Sequence, residues 1–126
     1  MYAFANNAII GRVVAVKDGE GADAGIVATV TLEECLPPFN KKGGIFLLNC
    51  RNSATRRLAE SARKLKKGQI VSAQASRDVG REDIYDVFSL HNVKGEYVAG
   101  DYSYQFISSK KCLLKRYGQI VRIVNL

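Results

Sequence analysis

Tryptophan is absent from this 126-residue chain, so any flat-faced stacking must come from tyrosine or phenylalanine. Histidine occurs once, as His91, with no metal-ligand partner close by in sequence, which makes it a structural or surface residue rather than a ligand. The three cysteines, Cys35, Cys50 and Cys112, are scattered and form no CxxC pair. An odd, dispersed set excludes a disulfide framework and a structural zinc site, and reads as small, reduced, partly buried side chains. No apolar run approaches the roughly 18 residues that a membrane-spanning helix needs. The first residues do not pair a basic stretch with an apolar core as a signal peptide does. A cytoplasmic protein without a membrane partner is therefore expected.

Enzyme signatures are missing too. GxxxxGK[ST], GxSxG and HExxH do not occur, and the Gly-rich run GEGADAG, Gly19 to Gly25, lacks the strand-to-helix context and lysine of a phosphate loop. Glu33 and Glu34 are neighbours in a strand-like segment, so their side chains diverge and cannot share acid–base work. No catalytic residue, metal site or cofactor is expected.

What the chain has is β-branched sequence and positive charge. Its composition is 47% hydrophobic and 25% charged, that of one globular domain with one core. Ala8–Val16 reads as a strand with a bulge or sharp bend at Gly11. Lys17–Gly25 is a loop, and Ile26–Glu33 is a second strand with Ile26, Ala28, Val30 and Leu32 on one face. A loop with both prolines, Leu36–Gly44, leads to a third strand at Ile45–Cys50. The period then becomes helical: Asn52 or Ser53 can cap a helix running to about Lys66, with Leu58, Ala62 and Leu65 as its apolar stripe and Gly68 as terminator. Gln69–Arg77 alternates again, a charged turn follows at Asp78–Asp83, and a fifth strand covers Ile84–Val93. Three strands, a helix and two strands is the plan of a five-stranded OB barrel. The helix position disfavours a sandwich or an SH3-like barrel. From about residue 96 to 126 a basic β extension of the same domain is expected: an added hairpin, with the four positive charges of Ser108–Gly118 between its strands, that extends the barrel or pairs with another subunit.

The net charge is +7, and its distribution is uneven. Arg51, Arg56, Arg57, Arg63, Lys64, Lys66 and Lys67 face one acid, Glu60, while Lys110, Lys111, Lys115, Arg116 and Arg122 face none. Neutralising phosphates releases condensed counterions, so such a surface suits a nucleic-acid backbone. Bases need rings on which to stack. The candidates are Phe46, Tyr85, Phe88, Tyr97, Tyr102 and Tyr104. Tyr85, flanked by acids, is expected at the surface and Phe88 in the core. Arg77 and Arg81 flank the turn between the fourth and fifth strands, where an OB barrel has a binding loop.

NNAIIGRVV (Asn6–Val14), IVATVTLEE (Ile26–Glu34), LAESARKLKKGQIVSAQASRDV (Leu58–Val79) and DVFSLHNVKG (Asp86–Gly95) together resemble the bacterial single-stranded DNA-binding protein family. The resemblance implies an OB fold over residues 1–95, sequence-tolerant binding of single-stranded DNA in replication, recombination or repair, and assembly of two or four barrels. It places Arg12, Phe46, Arg51, Arg77 and Tyr85 on the family's DNA-contact strands. The family's stacking tryptophans, glycine-rich linker and acidic tip have no counterpart here, so recruitment of enzymes through that tip is not expected. Arg12, Phe46, Arg51, Arg56, Arg57, Lys64, Arg77, Arg81 and Tyr85 are the expected nucleic-acid contacts. An OB adaptor for protein partners, or an RNA-binding OB domain, stands as the alternative.

Overall fold

The computed structural model describes residues 4–5, 8–19, 27–37, 44–77 and 84–126. In chain order the elements are β1 (Phe4–Ala5), β2 (Ala8–Asp18), β3 (Val27–Glu33), β4 (Ile45–Arg51), α1 (Leu58–Arg63), β5 (Ile70–Arg77), β6 (Ile84–Asn92), β7 (Gly95–Ala99), β8 (Tyr102–Ser108), β9 (Lys111–Arg116) and β10 (Gln119–Asn125). Strands β2, β3, β4, β6 and β5 pair in that order, and β5 pairs back onto β2, closing the sheet. All these pairs are antiparallel except β4 with β6. With α1 inserted between the third and fourth barrel strands, this is the expected OB barrel.

Alternation fills the barrel. Ala28, Val30 and Leu32 of β3, Leu48 and Cys50 of β4, and Val71 and Ala73 of β5 are completely buried in one cluster, with Ile9 and Val13 of β2 and Tyr85 and Val87 of β6. Each of the valine, leucine and isoleucine side chains contributes about 1.5–3 kcal/mol by leaving water. Helix α1 closes one end of the barrel by burying Ala59 and Ala62, whose small size lets the helix lie close, with Leu58 and Leu65 packed at its margin. Gly11 sits where β2 passes from pairing with β5 to pairing with β3; a β-carbon there would fall 2.8 Å from the Glu33 carbonyl oxygen. The register shift expected at Gly11 lies between Val13 and Ala15.

The helix is shorter than its period suggests, six residues rather than the span from Asn52 or Ser53 to Lys66. Local side-chain bonding takes over before it. The Ser53 hydroxyl accepts from the Arg56 N–H at 3.1 Å, making a turn, and Asn52 and Arg57 form an isolated bridge. Asn52 still caps α1, from outside the adjoining turn: its Oδ1 accepts from the N–H of Ala59 at 3.1 Å. At the other end, bonds from Lys64 and Leu65 back to Ser61 and Ala62 tighten the last turn.

The C-terminal segment also departs from expectation. It is a four-stranded antiparallel meander, β7 to β10, rather than one hairpin. Lys111–Arg116, read as a basic connection, is strand β9, with Cys112 and Leu114 buried on one face. The sheet lies over the outer side of the barrel at β2 and β5. Tyr104, Phe106, Cys112, Leu114 and Val124 form a second core with Ile10, Ile70, Cys35, Leu36 and Val93. Ile70 and Val71 therefore face opposite cores, and both faces of β5 are buried from Ile70 to Ala73. The Tyr104 hydroxyl donates to the Pro37 carbonyl at 2.7 Å, tying the sheet to the loop after β3. Among the described residues no helix is long and apolar enough to cross a membrane.

Candidate nucleic-acid interface

The C-terminal sheet covers the paired part of β2 and β5, and no described element covers the barrel wall made by β3, β4, β6 and the second half of β2. Backbone register sets its rows: Lys17 of β2 opposite Thr29, Thr29 opposite Asn49, and Asn49 beside Asp86. The next row runs Ala15, Thr31, Leu47, Ile84. The Thr29 hydroxyl donates to Asn49 Oδ1 at 3.2 Å, fixing the centre of this polar wall.

At its helix end the wall carries an aromatic ring. Val87 pairs with Ala75 and Ser89 with Gln74, which leaves Phe88 bulged out of register. By alternation with the buried Tyr85 and Val87, Phe88 shares the outward side of β6 with Asp86, and it is 46% exposed. Its carbonyl accepts from the Arg56 guanidinium at 2.9 Å. Arg51 lies two residues beyond Asn49 on β4, and Phe88 two beyond Asp86 on β6. Because those strands run parallel, the arginine and the ring extend the same row.

The expected contacts divide accordingly. Arg51, Arg56 and Arg57 are exposed in the segment from β4 to α1, with Arg56 the one bonded to Phe88, and Lys64 is exposed at the C-cap of α1. Arg12 is elsewhere: it pairs with Glu33 and Ile70, on the side of β2 that carries Ile10, with its charge beside Cys35. Tyr85 is corrected outright. It is 1% exposed and part of the barrel core, because its acidic neighbours in sequence take the outward positions of an alternating strand. Phe46 is half-buried against the same core, its ring tilted over Tyr85 at 5.9 Å. Phe88, expected inside, is out. Arg81 and the turn between β5 and β6 lie outside the described residues, as do the 20–26 loop and Ile26; Arg77 ends β5.

Sequence reasoning also missed a groove between the α1–β5 turn and the β8–β9 turn. It measures about 500 Å³ and is lined by Lys66, Lys67, Gly68, Gln69, Ile70, Asn92, Ser109 and Lys110. A smaller hollow lined by Lys64 and His91 adjoins it, sharing Gln69 and Asn92, whose side chains hydrogen-bond to each other. Lys110 is 43 positions from Lys67, so no local pattern links them. Among the described residues these four lysines form no ion pair, whereas Arg63 is held by Asp18 at 2.5 Å and Lys115 by Glu96 at 3.9 Å.

The cysteines offer no nucleophile. All three are free and buried, and burial pushes the thiols of Cys35 and Cys50 up to about 12 and that of Cys112 to about 11. A thiolate is the reactive form. Among the described residues no group of three or more His, Cys, Asp or Glu side chains could hold a metal ion. No protein-family model, curated protein or solved structure matches the chain.

Proposed function

We propose that this protein binds single-stranded DNA with little sequence preference. One observation carries the reading: on the outer wall of an OB barrel, the exposed Phe88 ring extends the same row as Arg51, and the Arg56 guanidinium reaches the Phe88 carbonyl. Single-strand binding needs both parts, a face on which any base stacks and cations that follow the backbone. Bases stack on Phe88, and phosphates follow the arginines and then the lysines of the groove. The resemblance of the barrel segments to the bacterial single-stranded DNA-binding family points the same way.

The test is a titration of a labelled 35-mer of dT at low and moderate salt, with duplex DNA and an rU strand as competitors. Tight, salt-sensitive binding that duplex does not displace is expected. Arg51→Glu should weaken it and flatten the salt slope by about 0.7 for each phosphate that is no longer neutralised. Phe88→Ala should cost about 1–3 kcal/mol of affinity with little change in stability. A folded Arg51→Glu variant with unchanged affinity and slope removes the open wall from the path.

A second reading has its own observation. Ile120, Val121 and Ile123 are each more than half exposed on β10, the outer strand of the C-terminal sheet, as suits an OB adaptor with a protein partner. Absence of any preference for the single strand in the titration would favour it.

A further inference from the structure

Tyr117 is the one described residue other than glycine with positive φ, 51°. Arg116 pairs with Gln119, so Tyr117 and Gly118, at φ 79°, form a two-residue hairpin turn with both residues left-handed. That turn favours Asn-Gly or Asp-Gly, and an aromatic residue in its first position is strained. Tyr117 is also 73% exposed. For the turn itself asparagine would be the less strained residue.

The ring is nevertheless fixed. Its hydroxyl donates to Asp101 Oδ2 at 2.8 Å, and its backbone N–H donates to the Asp101 carbonyl at 3.2 Å. The Arg116 guanidinium lies 5.5 Å from the centre of the Tyr117 ring and 5.5 Å from that of Tyr102. Beside them is a hollow of about 400 Å³, lined by Tyr102, Ser103, Lys115 and Tyr117 among others, within the range of pockets that take small planar ligands. An exposed ring held before its ligand arrives loses little freedom on binding.

We propose that Tyr117 is a base-stacking residue on the C-terminal sheet, taking a nucleobase of a bound single strand. The proposal rests on the single-strand reading above. The charges around the ring nearly balance, Arg116 and Lys115 against Asp101 and Glu96, so this contact recognises a base and not a phosphate.

Tyr117→Asn separates binding from folding, because Asn-Gly is the preferred sequence for this turn. The variant gains the preferred turn residue and loses the bond to Asp101 and the contact with Arg116, so it should melt within a few degrees of the wild type while binding the dT 35-mer about fivefold to a hundredfold more weakly. Its salt slope should be unchanged, and so should its affinity for an abasic strand of the same length. Tyr117→Phe, which keeps the ring and loses the bond to Asp101, should recover most of the affinity. Equal dT affinity of Tyr117→Asn and wild type overturns the proposal and leaves the single-strand reading intact. Tyr117→Phe binding as weakly as Tyr117→Asn overturns it too, since the hydroxyl's bond to Asp101 and not the ring would then matter. Wild-type protein that does not bind the dT strand at low salt overturns both.

Discussion

The two sides of the barrel are built from similar strands and end in opposite conditions. On the β2–β5 side the outward residues Ile10 and Ile70 are apolar, and the C-terminal sheet buries them. On the β3–β4–β6 side the outward residues include Thr29, Thr31, Asn49 and Asp86, and no described element covers them. The difference lies in which residues point outward. An OB barrel with one wall committed to packing has the other left for a ligand, so the covering sheet helps to define the binding face without forming its centre.

The comparison can be broken most severely from inside. Leu48→Ala empties a completely buried position in the barrel core and should lower stability by about 2–5 kcal/mol, read by urea unfolding. A loss well under 1 kcal/mol would mean that the barrel interior is loosely filled. A smaller effect tests the covered side. Tyr104→Phe removes the hydroxyl bonded to the Pro37 carbonyl and should cost about 1–2 kcal/mol. It should leave dT affinity unchanged, and a matching loss of affinity would show that the sheet and the open wall are coupled.

The smallest effect at neutral pH concerns the thiols, which sit in both cores. Folding raises their pKa from the ordinary 9.0 to about 11 for Cys112 and about 12 for Cys35 and Cys50, so the native state holds these protons more tightly than the unfolded chain. Their contribution is complete below pH 9 and is lost as the pH rises through 11 to 12. Native protein at pH 8 should resist alkylating reagents, with all three cysteines labelled only in denaturant. Rapid labelling of Cys112 alone would indicate that the C-terminal sheet opens independently of the barrel.

The barrel was legible in the sequence because alternation and the change to helical period are local signals. Strand order followed from the place of the helix. The candidate site was legible only in part. Arg51, Arg56 and Arg57 stood out as an unbalanced run of charge, but Phe88 and Tyr85 exchanged places. Charged neighbours suggested that Tyr85 was outside and apolar ones that Phe88 was inside, but the alternation that turns Tyr85 and Val87 into the core turns Asp86 and Phe88 outward; which of the two phases of β6 faces the core is set by the partner strands and not by the segment alone. In β9, lysines and an arginine at the ends hid the two inward residues between them. The groove joining Lys67 to Lys110 arises from how the sheet sits on the barrel, which no local pattern encodes.

Strands β2 and β5 have a further consequence. Ile9 and Ile10 are consecutive, and so are Ile70 and Val71, yet within each pair one faces the barrel and the other the covering sheet. A backbone enclosed on both faces reaches water only when both cores separate. The amides that pair β2 with β5, around Ile9 to Gly11 and Val71 to Ala73, should therefore be the slowest in the molecule to exchange with deuterium, at a rate set by global unfolding, while those of the open wall exchange through smaller local openings.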